Sequence, residues 1–261
     1  MERAPNAAVV TGGESGIGKA CALALGRAGH PVALTYYADA VAAGAVVDEI
    51  GRGGGRALAQ RCDVGREDRV EALFDAAEAA FGPVGLLVNS AGLNMSGVPV
   101  ERMDLARFDR VLRADLYGPF LTCRRFVRGL DAAFGEGKGA GRIVNVSSIH
   151  ERAPRPGGLD YDAAKGGLAQ LTATLALELA PRRIAVNAVA PGMILTPMNR
   201  SALDNPAELA AKEAAIPWGR AGTAEEVAAL IVFLLSPGAD YITGATVTID
   251  GALSLTVALG A

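Results

Sequence analysis

The chain has 261 residues, a net charge of −3 and 51% hydrophobic side chains, with aromatics at only 5%. That length buries a core without disulfide staples, and Cys21, Cys62 and Cys123 form no CxxC pair, so reduced core thiols in the cytoplasm are expected. No basic block points to nucleic acid, the N-terminus lacks the apolar stretch of a signal peptide, and the longest apolar run, 228–235, is far short of the ~20 residues that cross a bilayer.

Apolar runs predict strands at 7–11, 32–36, 57–63, 85–89, 142–147, 184–189 and 246–250. Helix-length stretches alternate with them at 16–28, 41–52, 66–81, 104–134, 161–180 and 223–235. Strands apolar on both faces suit a parallel sheet covered on both sides by helices. The alternation predicts a doubly wound, Rossmann-like α/β fold in a single domain, 1–261. Only residues 193–222 break the rhythm. Insertions after a strand's carboxyl end lie where ligands bind, so this segment reads as a substrate lid with a short helix near 206–215.

TGGESGIG at 11–18 follows the first strand and opens the first helix. Gly12 allows a tight turn. Gly16 and Gly18 allow backbone to approach a pyrophosphate at the helix N-terminus, although a plain glycine-rich turn would look the same. The acid that usually holds a ribose at the end of strand two is missing: Tyr36 stands there, and Asp39 falls in the loop. Asp63 and Val64 follow strand three, and Asn89 to Gly92 follow strand four, all at carboxyl ends. Ser147 and Ser148 end strand five. Tyr161 and Lys165 then sit four apart, on one face of the next helix. The chain has only four lysines, Lys19, Lys138, Lys165 and Lys212. An ammonium beside a phenol favours the phenolate, as a general acid–base near neutral pH requires. An ordinary surface pair is the alternative reading.

Together these segments resemble the short-chain dehydrogenase/reductase family, in order from residue 7 to about 251: TGGESGIG, DV at 63–64, NSAG at 89–92, VNVSS at 144–148, YDAAK at 161–165 and PGMILTP at 191–197. Within it, SSIHE, KGGL, LALELAP and the VALTYY strand resemble bacterial glucose dehydrogenases and related sugar-, polyol- and ketone-directed reductases. The resemblance implies hydride transfer between NAD(P) and a secondary alcohol or carbonyl. Tyr161 would be the acid–base, Ser148 would hydrogen-bond the reacting oxygen, and Lys165 would bind the nicotinamide ribose and act on Tyr161. Gly12, Ser15, Ile17 and Gly18 would cradle the cofactor. Asp63 and Val64 would flank its adenine, and Asn89, Ala91 and Gly92 its ribose. Pro191, Gly192, Ile194 and Thr196 would hold the carboxamide. The family implies a homotetramer through its two longest helices, a small-molecule substrate and no metal.

The departures matter. Asp115 stands where relatives carry an Asn whose carbonyl holds a relay water; it either opposes Lys165 or only kinks the helix. Tyr36 in place of an acid leans toward NADP(H), with dual use open, while Glu14 in the glycine loop leans the other way. Asn94, His150 and Met193 are candidates for the substrate pocket, with Glu151, Met198 and Trp218 near them. Two rival functions remain: a silent cofactor-binding sensor, supported only by Asp115, and an acyl-carrier ketone reductase, which would want a basic patch such as Arg124, Arg125 and Arg128.

Overall fold

The computed structural model describes residues 6–95, 97–199 and 204–258, so residues 200–203 of the expected lid lie outside the described residues. Seven strands form one parallel sheet: β1 (Ala7–Val10), β2 (Val32–Tyr36), β3 (Ala57–Arg61), β4 (Val84–Asn89), β5 (Gly141–Val146), β6 (Ile184–Pro191) and β9 (Thr246–Ile249). Their order is β3-β2-β1-β4-β5-β6-β9. The order reverses between β3 and β4, so a crevice opens above the carboxyl ends of β1 and β4, where such folds bind ligands.

Strand alternation divides the core into two layers. Ala8 and Val10 of β1 point to one side, against α1 (Gly16–Arg27), α2 (Ala40–Arg52) and α8 (Ala224–Leu235), where Leu25, Ile50 and Ile231 are buried. Val9 points to the other, against α3 (Glu67–Phe81), α5 (Gly118–Phe134) and α6 (Leu159–Leu179), where Phe74, Phe126 and Leu130 are buried.

Two features differ from the sequence-based expectation. The single helix expected at 104–134 is instead α4 (Leu105–Leu112), a π-helical turn (Arg113–Tyr117) and α5. Pro119 explains the break: it has no N–H to give to the carbonyl of residue 115, one turn back. The Gly118 N–H instead reaches the Arg113 carbonyl, five residues away. Second, β7 (Ile194–Leu195) pairs in parallel with β8 (Gly222–Thr223), a two-stranded sheet the sequence did not suggest. It joins the two ends of segment 193–222, between which lies α7 (Pro206–Ala214), capped by Asn205. No helix among the described residues is long and apolar enough to cross a membrane.

Candidate active site

The glycine loop forms because its backbone has no room for side chains. Gly12 has a φ of +64°, and a Cβ on Gly18 would stand 2.0 Å from the Gly12 carbonyl oxygen. The Gly12 N–H donates to Thr35 Oγ1 of β2 at 2.9 Å. Thr11 Oγ1 accepts from the Ser90 and Ala91 N–H groups, both at 3.0 Å, tying the loop to the end of β4. Ser15 stands at the α1 N-cap, but its side chain caps nothing, so the first-turn amides remain for a ligand.

A cleft of about 610 Å³ runs from this loop to the start of α6. It brings together Gly12, Ser15, Ile17, Asp63, Val64, Ala91, Gly92, Ser148, Tyr161, Lys165, Pro191, Gly192, Ile194 and Thr196. Its volume and its tight glycine cradle fit an extended dinucleotide. Gly18 lies beneath the cradle as packing. The Asn89 side chain faces away, into a buried network: it donates to Asn145 Oδ1 at 2.9 Å and accepts from Thr122 Oγ1 at 2.7 Å. Tyr36 packs on the core face of β2. Thr35 and Tyr37, one residue either side, line the cleft instead. The period of two along the strand held that signal. The sequence reading also missed Ala106, Asp109, Arg110 and Arg113, a helical stripe along one cleft wall. Spacing of three and four would have grouped them, once one was known to face the site.

The chemical end is built by three elements. Ser148 leaves β5 and caps the 3-10 turn Ile149–Glu151, its Oγ accepting the His150 N–H at 3.2 Å. Tyr161 and Lys165 lie on the first two turns of α6, both buried. The Tyr161 N–H is held by Asp160 Oδ1 at 2.8 Å, and Asp160 Oδ2 by Arg107 Nε of α4 at 3.2 Å. The Tyr161 ring packs with Val111 and Ala164, beside Leu93 and Leu112.

Lys165 Nζ donates to the Val146 carbonyl at 3.0 Å and lies 5.4 Å from the Tyr161 ring centroid. It also lies 3.1 Å from Asp115 Oδ2. The two form a buried ion pair. Asp115 Oδ1 accepts the Leu93 N–H at 2.7 Å. Asp115 thus does both things the sequence left open: it sits in the π-helical turn, and it faces the lysine. Burial pushes its carboxyl up, against the pull of Lys165 and the Leu93 N–H. Burial works to lower the Lys165 ammonium, but Asp115, Tyr161 and Glu151 together lift it above its usual value. The lysine therefore keeps its charge, with the Asp115 carboxyl close against it.

Of the proposed substrate residues, Met198 lines the cleft, whereas Asn94, His150 and Met193 do not. The His150 ring meets Tyr161 edge-on, centroids 6.3 Å apart. Asn94 Oδ1 accepts from Arg155 Nη2 at 3.1 Å. Met193 is held through its carbonyl, which accepts the Gly222 N–H at 3.0 Å. No cluster of three metal-ligating side chains occurs among the described residues.

Comparison with known proteins agrees with this geometry. A family model described as enoyl-(acyl carrier protein) reductase matches residues 12–254. The chain is 42% identical over 247 residues to 3beta-hydroxysteroid dehydrogenase 1 of Eggerthella lenta, covering 95% of this chain and 93% of that protein. It is 35% identical over 250 residues to glucose 1-dehydrogenase 2 of Bacillus subtilis, covering 95% and 94%. A crystal structure of a putative 2-deoxy-D-gluconate 3-dehydrogenase from Agrobacterium tumefaciens, with bound NADP, superposes with a TM-score of 0.85 at 32% identity, covering 96% of each chain. The chain belongs to the short-chain dehydrogenase/reductase family, oxidoreductases that use NAD(P) to interconvert alcohol and carbonyl groups.

Proposed function

We propose that the chain oxidises or reduces a small polar alcohol–ketone pair, of the sugar, polyol or small-ketone class, with NADP(H) preferred and NAD(H) also accepted. One observation carries the reading: Ser148, Tyr161 and Lys165 share one wall of a cleft whose far end is the glycine cradle. A bound nicotinamide would supply or accept the hydride. Tyr161 passes the proton to or from the reacting oxygen. Ser148 holds that oxygen, and Lys165 holds its ammonium at the ribose end of the same wall.

The NADP(H) preference rests on charge. No acid serves the end of β2, since Asp39 is engaged as the α2 N-cap, accepting the Ala42 N–H at 2.9 Å. Arg110 and Arg113 outnumber Asp109 on the same cleft wall, leaving it positive on balance. Glu14 lines the same cleft and opposes a further phosphate, which is why NAD(H) use is retained. Segment 193–222 is proposed as a lid: β7 and β8 pin its ends, while Pro197, Met198 and Asn199 face the cleft. Three buried free thiols fit a cytoplasmic home; burial pushes Cys21, Cys62 and Cys123 each up to about 12. A homotetramer is proposed from the apolar side chains left exposed on α5 and α6.

Two of the three arginines that the acyl-carrier reading would use are already engaged within the chain. Arg125 is held by Glu71, Asp75 and Glu78, and Arg124 by Glu67. Purified protein assayed by nicotinamide absorbance against aldoses, polyols, diketones and β-keto esters tests the function directly. Replacing Tyr161 by Phe should lower turnover by about 100-fold or more with cofactor binding retained. Near-normal turnover in that variant would overturn the acid–base assignment.

A further inference from the structure

We propose that Glu151 is a positioning residue for Ser148: by accepting the Ser147 hydroxyl it clasps the turn that aims the Ser148 hydroxyl at the reacting oxygen. The inference rests on the functional reading above, in which Ser148 holds that oxygen. Two adjacent serines, Ser147 and Ser148, reach the cleft at the end of β5, and both are buried. Their side chains are the same, so their partners must decide which hydroxyl is left for a substrate.

Glu151 separates the two. Its side chain is only 2% exposed, and no step of the proposed reaction uses it. The Ser147 Oγ donates to Glu151 Oε2 at 2.7 Å, so the one proton of that hydroxyl is committed inside the protein. Ser148 is engaged differently. Its Oγ accepts the His150 N–H at 3.2 Å, which occupies a lone pair and leaves the hydroxyl proton to donate.

The same bond closes the turn. Ser147 is fixed to the sheet, its N–H donating to the Val189 carbonyl of β6 at 2.8 Å. The Glu151 N–H donates to the Ser148 carbonyl at 3.0 Å, and the Arg152 and Ala153 N–H groups to the Ile149 carbonyl at 3.1 and 2.9 Å. A 3-10 turn this short has poor hydrogen-bond geometry of its own. The Glu151 side chain ties its far end back to the strand that leads into it, with Ser148 in between. The other contact of the carboxylate, Oε1 to Arg152 Nε at 3.3 Å, adds little, because Arg152 is 81% exposed. Glu151 also helps to lift the Lys165 ammonium, a second route to the chemistry that the test has to separate.

Hydride transfer is followed in single turnovers by nicotinamide absorbance, with the best substrate among the aldoses, polyols, diketones and β-keto esters above. Ser147→Ala and Glu151→Ala should each slow it by about 10-fold with cofactor affinity retained in calorimetry. The two together should be no slower than either alone, since both break one bond. In a Ser148→Ala background, Glu151→Ala should cost nothing further. Glu151→Gln keeps an acceptor for Ser147 without the charge and should recover most of the rate. Wild-type rates in the two alanine variants would overturn the proposal. So would a full further loss in the Ser148→Ala background, or a Glu151→Gln as slow as Glu151→Ala, which would place the effect on Lys165. Amide exchange across Ile149–Ala153 reads the clasp without any substrate: it should quicken in Ser147→Ala, and unchanged exchange there would overturn the proposal too. Should Glu151→Ala not fold, Ser147→Ala carries the same comparisons. A wild type silent on every substrate, or an active Tyr161→Phe, would sink the functional reading instead.

Discussion

A methyl group on Gly18 would meet the Gly12 carbonyl oxygen at 2.0 Å and its carbon at 2.7 Å. Both are backbone atoms that cannot turn aside, so the loop must open if Gly18 becomes Ala. The predicted outcome is nucleotide affinity reduced by at least 10-fold, measured by quenching of the single tryptophan or by calorimetry, with stability lowered by about 1–3 kcal/mol. Unchanged affinity would show that the cradle is not set by this contact. At this scale the sequence was readable wherever spacing along the chain carried the information. Gly12 and Gly18, or Tyr161 and Lys165, are such cases. It was unreadable where contact crosses between elements. Asp115 stood out as an unusual residue, but only the fold shows Lys165 against it. Arg155 gave no signal at all, because its stack on the Tyr161 ring depends on how the loop before α6 folds back.

The base of segment 193–222 is secured at the level of elements by one local motif. Thr223 caps α8, its Oγ1 accepting the Glu226 N–H at 3.2 Å, while Glu226 Oε2 accepts the Thr223 N–H at 2.8 Å. Arg220, at the end of the lid segment, grips both oxygens of Glu226 at 3.0 and 2.6 Å. Replacing Thr223 by Ala should cost about 1 kcal/mol in urea unfolding and raise substrate KM more than it weakens cofactor binding; equal effects on both would refute the proposed lid. The hydrogen bond to Arg220 first, then that to Thr223, holds the Glu226 carboxyl down at about 2. A lowered carboxyl stabilises the fold at pH above its ordinary value near 4.5 and loses that contribution as pH falls through about 2. Wild type should therefore show an acid-side loss of stability in that window that Glu226→Gln lacks. The same motif was visible in the sequence only as a helix start near 223. The break at Pro119 was also there to be seen, yet the apolar pattern of 104–134 runs through it unbroken and the proline sits where a helix of that length hides it.

The whole molecule was legible as an architecture, because seven apolar runs separated by helical patterns admit few arrangements other than a doubly wound sheet. What covers its outer surface was not, since exposed apolar side chains on a helix look like core side chains in a linear sequence. Leu177 of α6 is 80% exposed, Phe120 of α5 is 45% exposed, and Tyr117 at the α5 N-cap is 53% exposed. Thr174 and Gly166 leave little bulk beside Leu177 on the outer face of α6, so a second helix can approach. Burying Leu177 on association would contribute about 2 kcal/mol at each copy. A net charge of only −3 per chain offers little repulsion against this. Sedimentation velocity at micromolar concentration should therefore give a tetramer. Leu177→Glu should shift it toward smaller species and leave the cleft residues untouched. A wild-type monomer across that range would refute the assembly, and a Leu177→Glu tetramer would move the interface away from α6.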